Sequence, residues 1–238
     1  MPDAIRVHED THNLFCYQPV LKGDALEDAE KIPEILDDSA CSVEGSFYSS
    51  REPHLSIEGC TVQAYFDEDE CLTFQCKSQG LYTSISRIGA SLGVPMDKLR
   101  IVDNFNGASF GWSTNAGDLC LAGAAAVAVN GPVALSLSYE EHQHFSGKRC
   151  PSYSNGRVAC DEKGRITAAE FDVGLDHGAY SWGGDHVMEK PVRFSFFPYN
   201  VPHVAGLCRV ANTNHTFGTA YRSYGSPQAY TMSEALMD

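Results

Sequence analysis

Residues 99–130 read LRIVDNFNGASFGWSTNAGDLCLAGAAAVAVN, and this stretch predicts a strand, a loop and a helix. The short apolar run at its start is typical of a buried strand. Small residues then predict a tight loop, and an alanine-rich helix follows with Thr114 or Asn115 as its N-cap. Asn130, with the glycine and proline after it, ends the helix. The fold therefore combines strands and helices.

Further predicted elements surround this stretch without a regular alternation of strand and helix. We expect a short helix before residue 40, longer helices at 81–92 and 226–238, and strands at 42–48, 61–66, 72–76, 133–139, 158–160, 166–173 and 204–210. The strands at 61–66 and 72–76, and those at 158–160 and 166–173, are expected to form hairpins. These elements predict an α+β fold of mixed sheets with packed helices. Residues 1–41 are expected to form an N-terminal arm, and residues 42–238 one domain.

The last predicted helix has a clear beginning and no clear end. Ser226 offers a capping hydroxyl, and Pro227 suits the first helical position. No glycine, proline or basic last turn closes the helix before Asp238. We therefore expect the chain to be cut inside a domain.

The charge and hydropathy of the chain limit the kinds of partner and the cellular location that we expect. The 238 residues include 17 basic and 31 acidic side chains, which gives a net charge of −14. Such a surface repels nucleic acid and anionic membranes, so neither is expected as a partner. The apolar run at 119–129 is too short to span a bilayer, and the N-terminus lacks a signal-peptide pattern. We expect a cytoplasmic protein.

The nine cysteines show no ligand spacing. None forms a C-x-x-C pair, which excludes zinc-ribbon, thioredoxin-like and iron–sulfur motifs within this chain. Their odd number also prevents complete pairing within the chain. Free thiols in a reducing compartment are the expected state.

The loop at 107–111 matches G-x-S-x-G, the pattern of a serine hydrolase in which Ser109 would be the nucleophile. Asp185 and His203 would be its partners, although other pairs serve equally well. A tight glycine-rich turn whose backbone N–H groups approach an anionic ligand is the simpler interpretation.

Two other motifs offer weaker signals. The segment 218–228 is a second loop rich in glycine and tyrosine, and Arg222 suits a carboxylate, carbonyl or phosphate. A surface ion pair is the alternative role for Arg222. His142 and His144 follow two glutamates, but a solvated polar loop is a better prediction there than a metal site. A non-catalytic binding or assembly subunit remains a third alternative for the whole chain.

Six segments together carry a resemblance. In order they are E-P-H…E at 52–58, S-Q at 78–79, G-A-S-F-G at 107–111, G-K-R-C-P at 147–151, D-H-G-A-Y at 176–180 and A-Y-R-S-Y-G-S-P-Q at 220–228. They resemble motifs of the molybdopterin-binding large subunit in the xanthine dehydrogenase and aldehyde oxidoreductase family. The fifth and sixth segments look most like bacterial aldehyde oxidoreductases.

The resemblance implies a function and a set of site residues. Family members are oxidoreductases that hydroxylate an aldehyde or N-heterocycle with oxygen from water, using a molybdenum–molybdopterin cofactor. No residue here would ligate the metal directly. By resemblance, the cofactor-binding residues would be Gln79, Gly107, Ala108, Ser109, Phe110, Gly111 and Arg222. The substrate-binding residues would be Phe110, Arg222, Ser223 and Tyr224.

The chain also departs from the family pattern. Ala108 and Ser223 stand where the family has glycine. The family's catalytic glutamate lies in a later G-x-G-E segment, which these 238 residues do not contain. We therefore expect the isolated chain to be inactive and nearly free of cofactor. Its expected partners are the remainder of the molybdenum subunit, iron–sulfur and flavin modules, and a second copy of itself.

Overall fold

The computed structural model describes residues 4–23, 29–180 and 184–238. It forms two compact units. The five-stranded unit comprises Met1–Glu52, Lys148–Thr219 and Ser223–Asp238, and the four-stranded unit comprises Pro53–Gly147 and Ala220–Arg222.

The strands and helices follow in chain order. The strands are β1 (Leu14–Gly23), β2 (Cys41–Ser49), β3 (Thr61–Phe66), β4 (Leu72–Cys76), β5 (Leu99–Asp103), β6 (Val133–Ser136), β7 (Ser152–Cys160), β8 (Ile166–Gly178) and β9 (His203–Asn212). The helices are α1 (Ile32–Asp38), α2 (Leu81–Leu92), α3 (Gly117–Val129), α4 (Tyr139–Phe145), α5 (Gly184–Phe194) and α6 (Ser226–Met237).

The five-stranded unit is a mixed sheet of order β1-β9-β8-β7-β2. Strands β8 and β9 are parallel, and the other neighbours are antiparallel. Helix α6 packs on the sheet so closely that a Cβ at Gly156 would lie 2.8 Å from the Met232 sulfur. The buried core of this unit centres on Val173, Cys208 and Met232.

The four-stranded unit is a mixed sheet of order β5-β4-β3-β6, covered by α2 and α3. Its core contains Phe74, Ile88 and Leu119, all at most 2% exposed. The small residues of α3 let that helix approach the sheet, since a Cβ at Gly123 would lie 2.8 Å from the Phe74 ring. Strands β4 and β5 are parallel neighbours, which brings their carboxyl ends to one edge of the sheet.

The α+β prediction is confirmed, with six helices and mixed sheets in the described residues. Both predicted hairpins are present, β3 with β4 and β7 with β8. Helix α2 ends as predicted at Gly93, which adopts the left-handed conformation (φ 67°). The division into an arm and one domain at residue 41 stays a prediction.

Several local predictions were wrong. Helix α3 begins at Gly117 with Ala116 as its N-cap, because residues 112–114 form a separate 3-10 turn. Helix α6 has Gly225 as its N-cap, so Ser226 supplies no capping hydroxyl. Strand β1 and helix α5 were not predicted.

The predicted polar loop around His142 is also wrong. Residues 139–145 form α4, which begins with a capping box between Ser138 and Glu141. His142 is fully buried. Among the described residues, no helix is both long and apolar enough to cross a membrane.

Candidate functional site

The candidate site lies where β4 and β5 end side by side in the four-stranded unit. Strand β4 leads directly into residues 77–79, and β5 leads into the loop that carries residues 107–111. Because the strands are parallel, both segments leave the sheet at the same edge. The structure therefore brings Gln79 and Ser109 into contact, with 2.8 Å between the Gln79 Oε1 and Ser109 Oγ atoms.

The Ser109 hydroxyl fixes the orientation of the Gln79 amide. Its oxygen accepts hydrogen bonds from the backbone N–H groups of Gly111 (3.3 Å) and Ser113 (3.1 Å). An oxygen that accepts twice donates its single proton outward, so its partner on Gln79 is the carbonyl Oε1. The Ser113 hydroxyl, 2.7 Å from Ser109 Oγ, also donates to Oε1 at 3.3 Å. The Gln79 amino group, with two N–H donors, consequently faces away from the serines, and the residue is exposed.

These contacts contradict the hypothesis that Ser109 is a nucleophile. Its hydroxyl is bonded to Gln79, Ser113 and the Gly111 N–H, and none of these is a base. The left-handed residues of the turn are Phe110 and Gly111, so the strain of a nucleophile elbow does not fall on Ser109. His203 opens β9 in the five-stranded unit. The side chain of Asp185 lies outside the described residues.

The Ala108 carbonyl is held by two side chains. It accepts hydrogen bonds from Ser56 Oγ at 2.7 Å and from Lys77 Nζ at 2.9 Å. In a planar trans peptide the C=O and the following N–H point in opposite directions. The Ser109 N–H therefore points away from Ser56 and Lys77. The two hydrogen bonds to the Ala108 carbonyl thus fix the direction of the Ser109 N–H, a backbone donor. The hydroxyl of the same residue orients Gln79.

Lys77 is buried and compensated by a carboxylate. Its Nζ lies 3.1 Å from Glu58 Oε2 and 4.6 Å from the centre of the Trp112 ring. Burial lowers the pKa of Lys77, and the hydrogen bond and charge of Glu58 oppose that shift. The same carboxylate explains why residue 107 is glycine, because a Cβ there would lie 2.3 Å from Glu58 Oε2.

The second glycine-rich loop meets the first at Phe110. The Arg222 N–H donates to the Phe110 carbonyl at 2.7 Å, and the Tyr221 ring lies edge-on to Phe110 with 6.3 Å between centroids. A Cβ at Gly111 would lie 2.5 Å from the Ala220 oxygen, so this close approach requires glycine. His54 supports the contact by donating from Nε2 to that same oxygen at 2.8 Å. Phe110 keeps 40% of its surface exposed beside the exposed residue Arg222.

Comparison with known proteins identifies the family. A model of the family described as the molybdopterin cofactor-binding domain matches residues 7–238. The chain belongs to this family. The resemblance inferred from six sequence segments is thereby confirmed.

Relatives of this molybdopterin cofactor-binding domain are larger proteins. Aldehyde oxidoreductase from Megalodesulfovibrio gigas is 36% identical over 236 residues, which cover 99% of this chain and 25% of that protein. The nicotinate dehydrogenase large molybdopterin subunit of Eubacterium barkeri is 27% identical, with 99% of this chain and 54% of that protein covered. The solved structure of the aldehyde oxidoreductase from Desulfovibrio gigas superimposes with a TM-score of 0.94 at 35% identity, covering 100% of this chain and 26% of that one. The chain thus spans about a quarter of the first relative and about half of the second.

Within this molybdopterin cofactor-binding domain, the predicted site residues fall into two groups. Gln79, residues 107–111 and Arg222 all belong to the four-stranded unit and are linked by the contacts described above. Ser223 and Tyr224 belong to the five-stranded unit. Ser223 is left-handed (φ 63°), and the Lys190 Nζ lies 5.4 Å from the centre of the Tyr224 ring.

Sequence reasoning missed the residues that support the loop. Ser56 and Lys77 give no motif of their own, although Lys77 stands between a buried strand and the Ser78-Gln79 pair. A second pair that the sequence did not reveal is Cys60 and Asp118. The Cys60 thiol donates to Asp118 Oδ2 at 3.2 Å. Burial raises the pKa of Cys60 and of Asp118. Within the described ranges, no three His, Cys, Asp or Glu side chains are grouped so that they could hold a metal ion.

Proposed function

We propose that this chain supplies part of the cofactor and substrate site of a molybdenum hydroxylase that oxidises an aldehyde or an N-heterocycle with oxygen from water. The observation that carries the proposal is the contact between Gln79 and the loop at 107–111, in a domain whose family binds molybdopterin. The bacterial aldehyde oxidoreductase, to which the chain is 36% identical, favours an aldehyde as substrate.

The residues present fit a bulky, electron-rich cofactor. Glycines at 107 and 111 keep the loop free of side chains where Glu58 and Ala220 approach it. The Gln79 amino group and the Ser109 N–H are oriented donors, and both orientations are fixed by contacts inside the protein. Such fixed donors stabilise a polar ligand without the cost of reorganising at the moment of reaction. When bound, the molybdenum cofactor supplies the two-electron redox chemistry.

Each residue then has a role of its own. Gln79 donates a hydrogen bond to the cofactor, and Ser109 keeps the glutamine amide turned the right way. Phe110 offers an apolar edge against which a flat substrate packs. Arg222 and Tyr224 orient the substrate through a charge and a phenol, and Ser223 lies between them. The planar guanidinium of Arg222 presents several N–H donors, which suit a carbonyl or carboxylate group.

The remainder of the catalytic machinery is proposed to lie in a partner segment. These 238 residues contain no G-x-G-E segment, which is the segment that would carry the catalytic glutamate by resemblance to the family. We therefore expect this chain alone to lack activity and to hold little cofactor. Iron–sulfur and flavin modules would carry the electrons onward. Two copies of the molybdenum subunit would form a homodimer.

The first test is the molybdenum content of two samples. Elemental analysis compares this chain expressed alone with the same chain co-expressed with the gene segment that follows it. We expect stoichiometric molybdenum and aldehyde oxidation only in the second sample. Metal in neither sample would contradict the proposed function, and metal with activity in the first would contradict the need for a partner segment.

The role of Gln79 has its own matched control. Gln79→Met removes the amino group while keeping the side-chain length, and we expect it to lower turnover at least tenfold in the co-expressed protein because one oriented donor is lost. Gln63→Met changes an exposed glutamine on β3 of the same unit and should leave turnover unchanged. Equal activity of both variants would contradict the proposed role of Gln79 in the site.

A further inference from the structure

Two cysteines lie directly opposite each other in the five-stranded unit. Strands β2 and β7 are antiparallel, and their register pairs Cys41 with Cys160. Directly opposed residues in such a pair have Cα atoms about 4.5 or 5.5 Å apart. A disulfide accepts Cα separations of roughly 4.4–6.8 Å, so either spacing allows the bond without moving the backbone.

This pair stands out from the other cysteines. All nine are free thiols, and five of them are buried: Cys60, Cys71, Cys76, Cys150 and Cys208. Cys41 is exposed, Cys160 is partly exposed, and their thiols are in hydrogen-bonding contact. Among the strand registers of the described residues, no other position sets cysteine against cysteine.

We propose that Cys41 and Cys160 form a redox modification site that closes an intramolecular disulfide by exchange with a small-molecule disulfide. The Cys41 thiolate attacks one sulfur of that reagent, breaks its S–S bond and releases one small thiolate. Cys160 then gives its proton to solvent, attacks the Cys41 sulfur and releases the second small thiolate. The reagent gains two electrons and becomes two thiols after protonation, and the cysteine pair loses the same two electrons.

The position of the bond indicates what it does. Among the strands that the structure describes, β2 lies at the edge of the sheet and pairs with β7 on one side. Edge strands open more easily than central ones and expose backbone groups that can pair with another chain. A bond at Cys41 fastens this edge to its neighbour. It also closes a covalent loop that contains the whole Pro53–Gly147 segment of the four-stranded unit.

The test uses the full chain in its folded state. The protein is incubated with oxidised glutathione, digested without reduction and analysed by mass spectrometry. We expect one cross-linked peptide pair, Cys41 with Cys160, and the loss of two hydrogens from the intact chain. The melting temperature should rise by about 5 °C or more, because the closed loop is long. Dithiothreitol should reverse both changes.

Two variants serve as controls. Cys41→Ser removes one partner at an exposed position and should abolish the cross-link and the rise in melting temperature. Cys120→Ser removes a partly exposed thiol outside the pair and should leave both unchanged. Glutathione attached to Cys41 and Cys160 without a bond between them would overturn the proposal. So would a cross-link that forms only between two chains.

Discussion

At the scale of single residues, Gly107 is a position of the site that leaves little room for a side chain. A Cβ there would lie 2.3 Å from Glu58 Oε2, and that carboxylate is fixed by its ion pair with Lys77. We expect Gly107→Ala to lower the free energy of unfolding by about 1–3 kcal/mol, because the loop or the ion pair must shift. Urea denaturation of the full chain measures this change.

A glycine with open space provides the comparison for that prediction. The nearest atom to a Cβ at Gly59 is 3.9 Å away, so Gly59→Ala should change the free energy of unfolding by less than about 0.5 kcal/mol. Combining Gly107→Ala with Glu58→Ala removes the clashing carboxylate. The double variant should therefore be more stable than the sum of the two single effects. Strict additivity would show that the contact with Glu58 is not the cause.

At the scale of elements, the first turn of α3 contains a buried carboxyl group that makes stability depend on pH. Burial raises the pKa of Asp118 above its usual value of 3.8, with the hydrogen bond from Cys60 opposing the shift. The unfolded chain thus releases this proton at a lower pH than the folded chain. The stability contributed by the protonated carboxyl is complete below 3.8 and is lost as pH rises through the raised pKa.

Asp118→Asn tests this dependence. The variant keeps the size and the acceptor oxygen of the side chain but cannot ionise. The free energy of unfolding of the natural chain should fall relative to that of the variant as pH rises from about 4, because only the natural chain has a carboxyl group that ionises there. Asp97→Asn, at an exposed position in the same unit, is the control. Parallel pH profiles for the natural chain and Asp118→Asn would contradict the raised pKa.

The elements also show what local sequence could predict. The hairpin of β3 and β4 was predictable because two strands and an acidic turn lie within 16 residues, Thr61–Cys76. Helix α4 had a readable signal in Ser138 and Glu141, but the run of five polar residues at 140–144 favoured the prediction of a polar loop. Strand β1 had none, since it carries Pro19 and Lys22 and its partner β9 lies far along the chain.

The candidate site also contains some features that local sequence predicts and others that it does not. Resemblance to the family's motifs was enough to propose Gln79 and the loop at 107–111 as cofactor-binding residues. Their contact depends on β4 and β5 being parallel neighbours, which no local pattern specifies. The anchors Ser56 and Lys77 act through one carbonyl oxygen, that of Ala108, and a backbone atom leaves no signature in the sequence.

At the scale of the whole molecule, most of the four-stranded unit is inserted into the sequence of the five-stranded unit. The segment Pro53–Gly147 interrupts the five-stranded unit between Glu52 and Lys148. The two ends of the interruption meet within that unit, where the Arg149 N–H donates to the Glu52 carbonyl at 2.9 Å and the side chains form an ion pair at 2.8 Å. The core of the five-stranded unit draws its residues from both sides of the interruption.

This arrangement predicts that the five-stranded unit folds without the insertion. We expect a variant with residues 53–147 replaced by two glycines to unfold cooperatively in urea, with a smaller slope than the full chain because less surface becomes exposed. A matched deletion of residues 53–160 also removes β7, the strand that joins β2 to β8, and should abolish cooperative unfolding. Failure of the first variant to unfold cooperatively would mean that the five-stranded unit depends on the insertion for its stability. Since β7 is the strand neighbour of β2 in the part of the chain that the structure describes, formation of the Cys41–Cys160 bond in the shortened variant would report directly that the two strands keep their register.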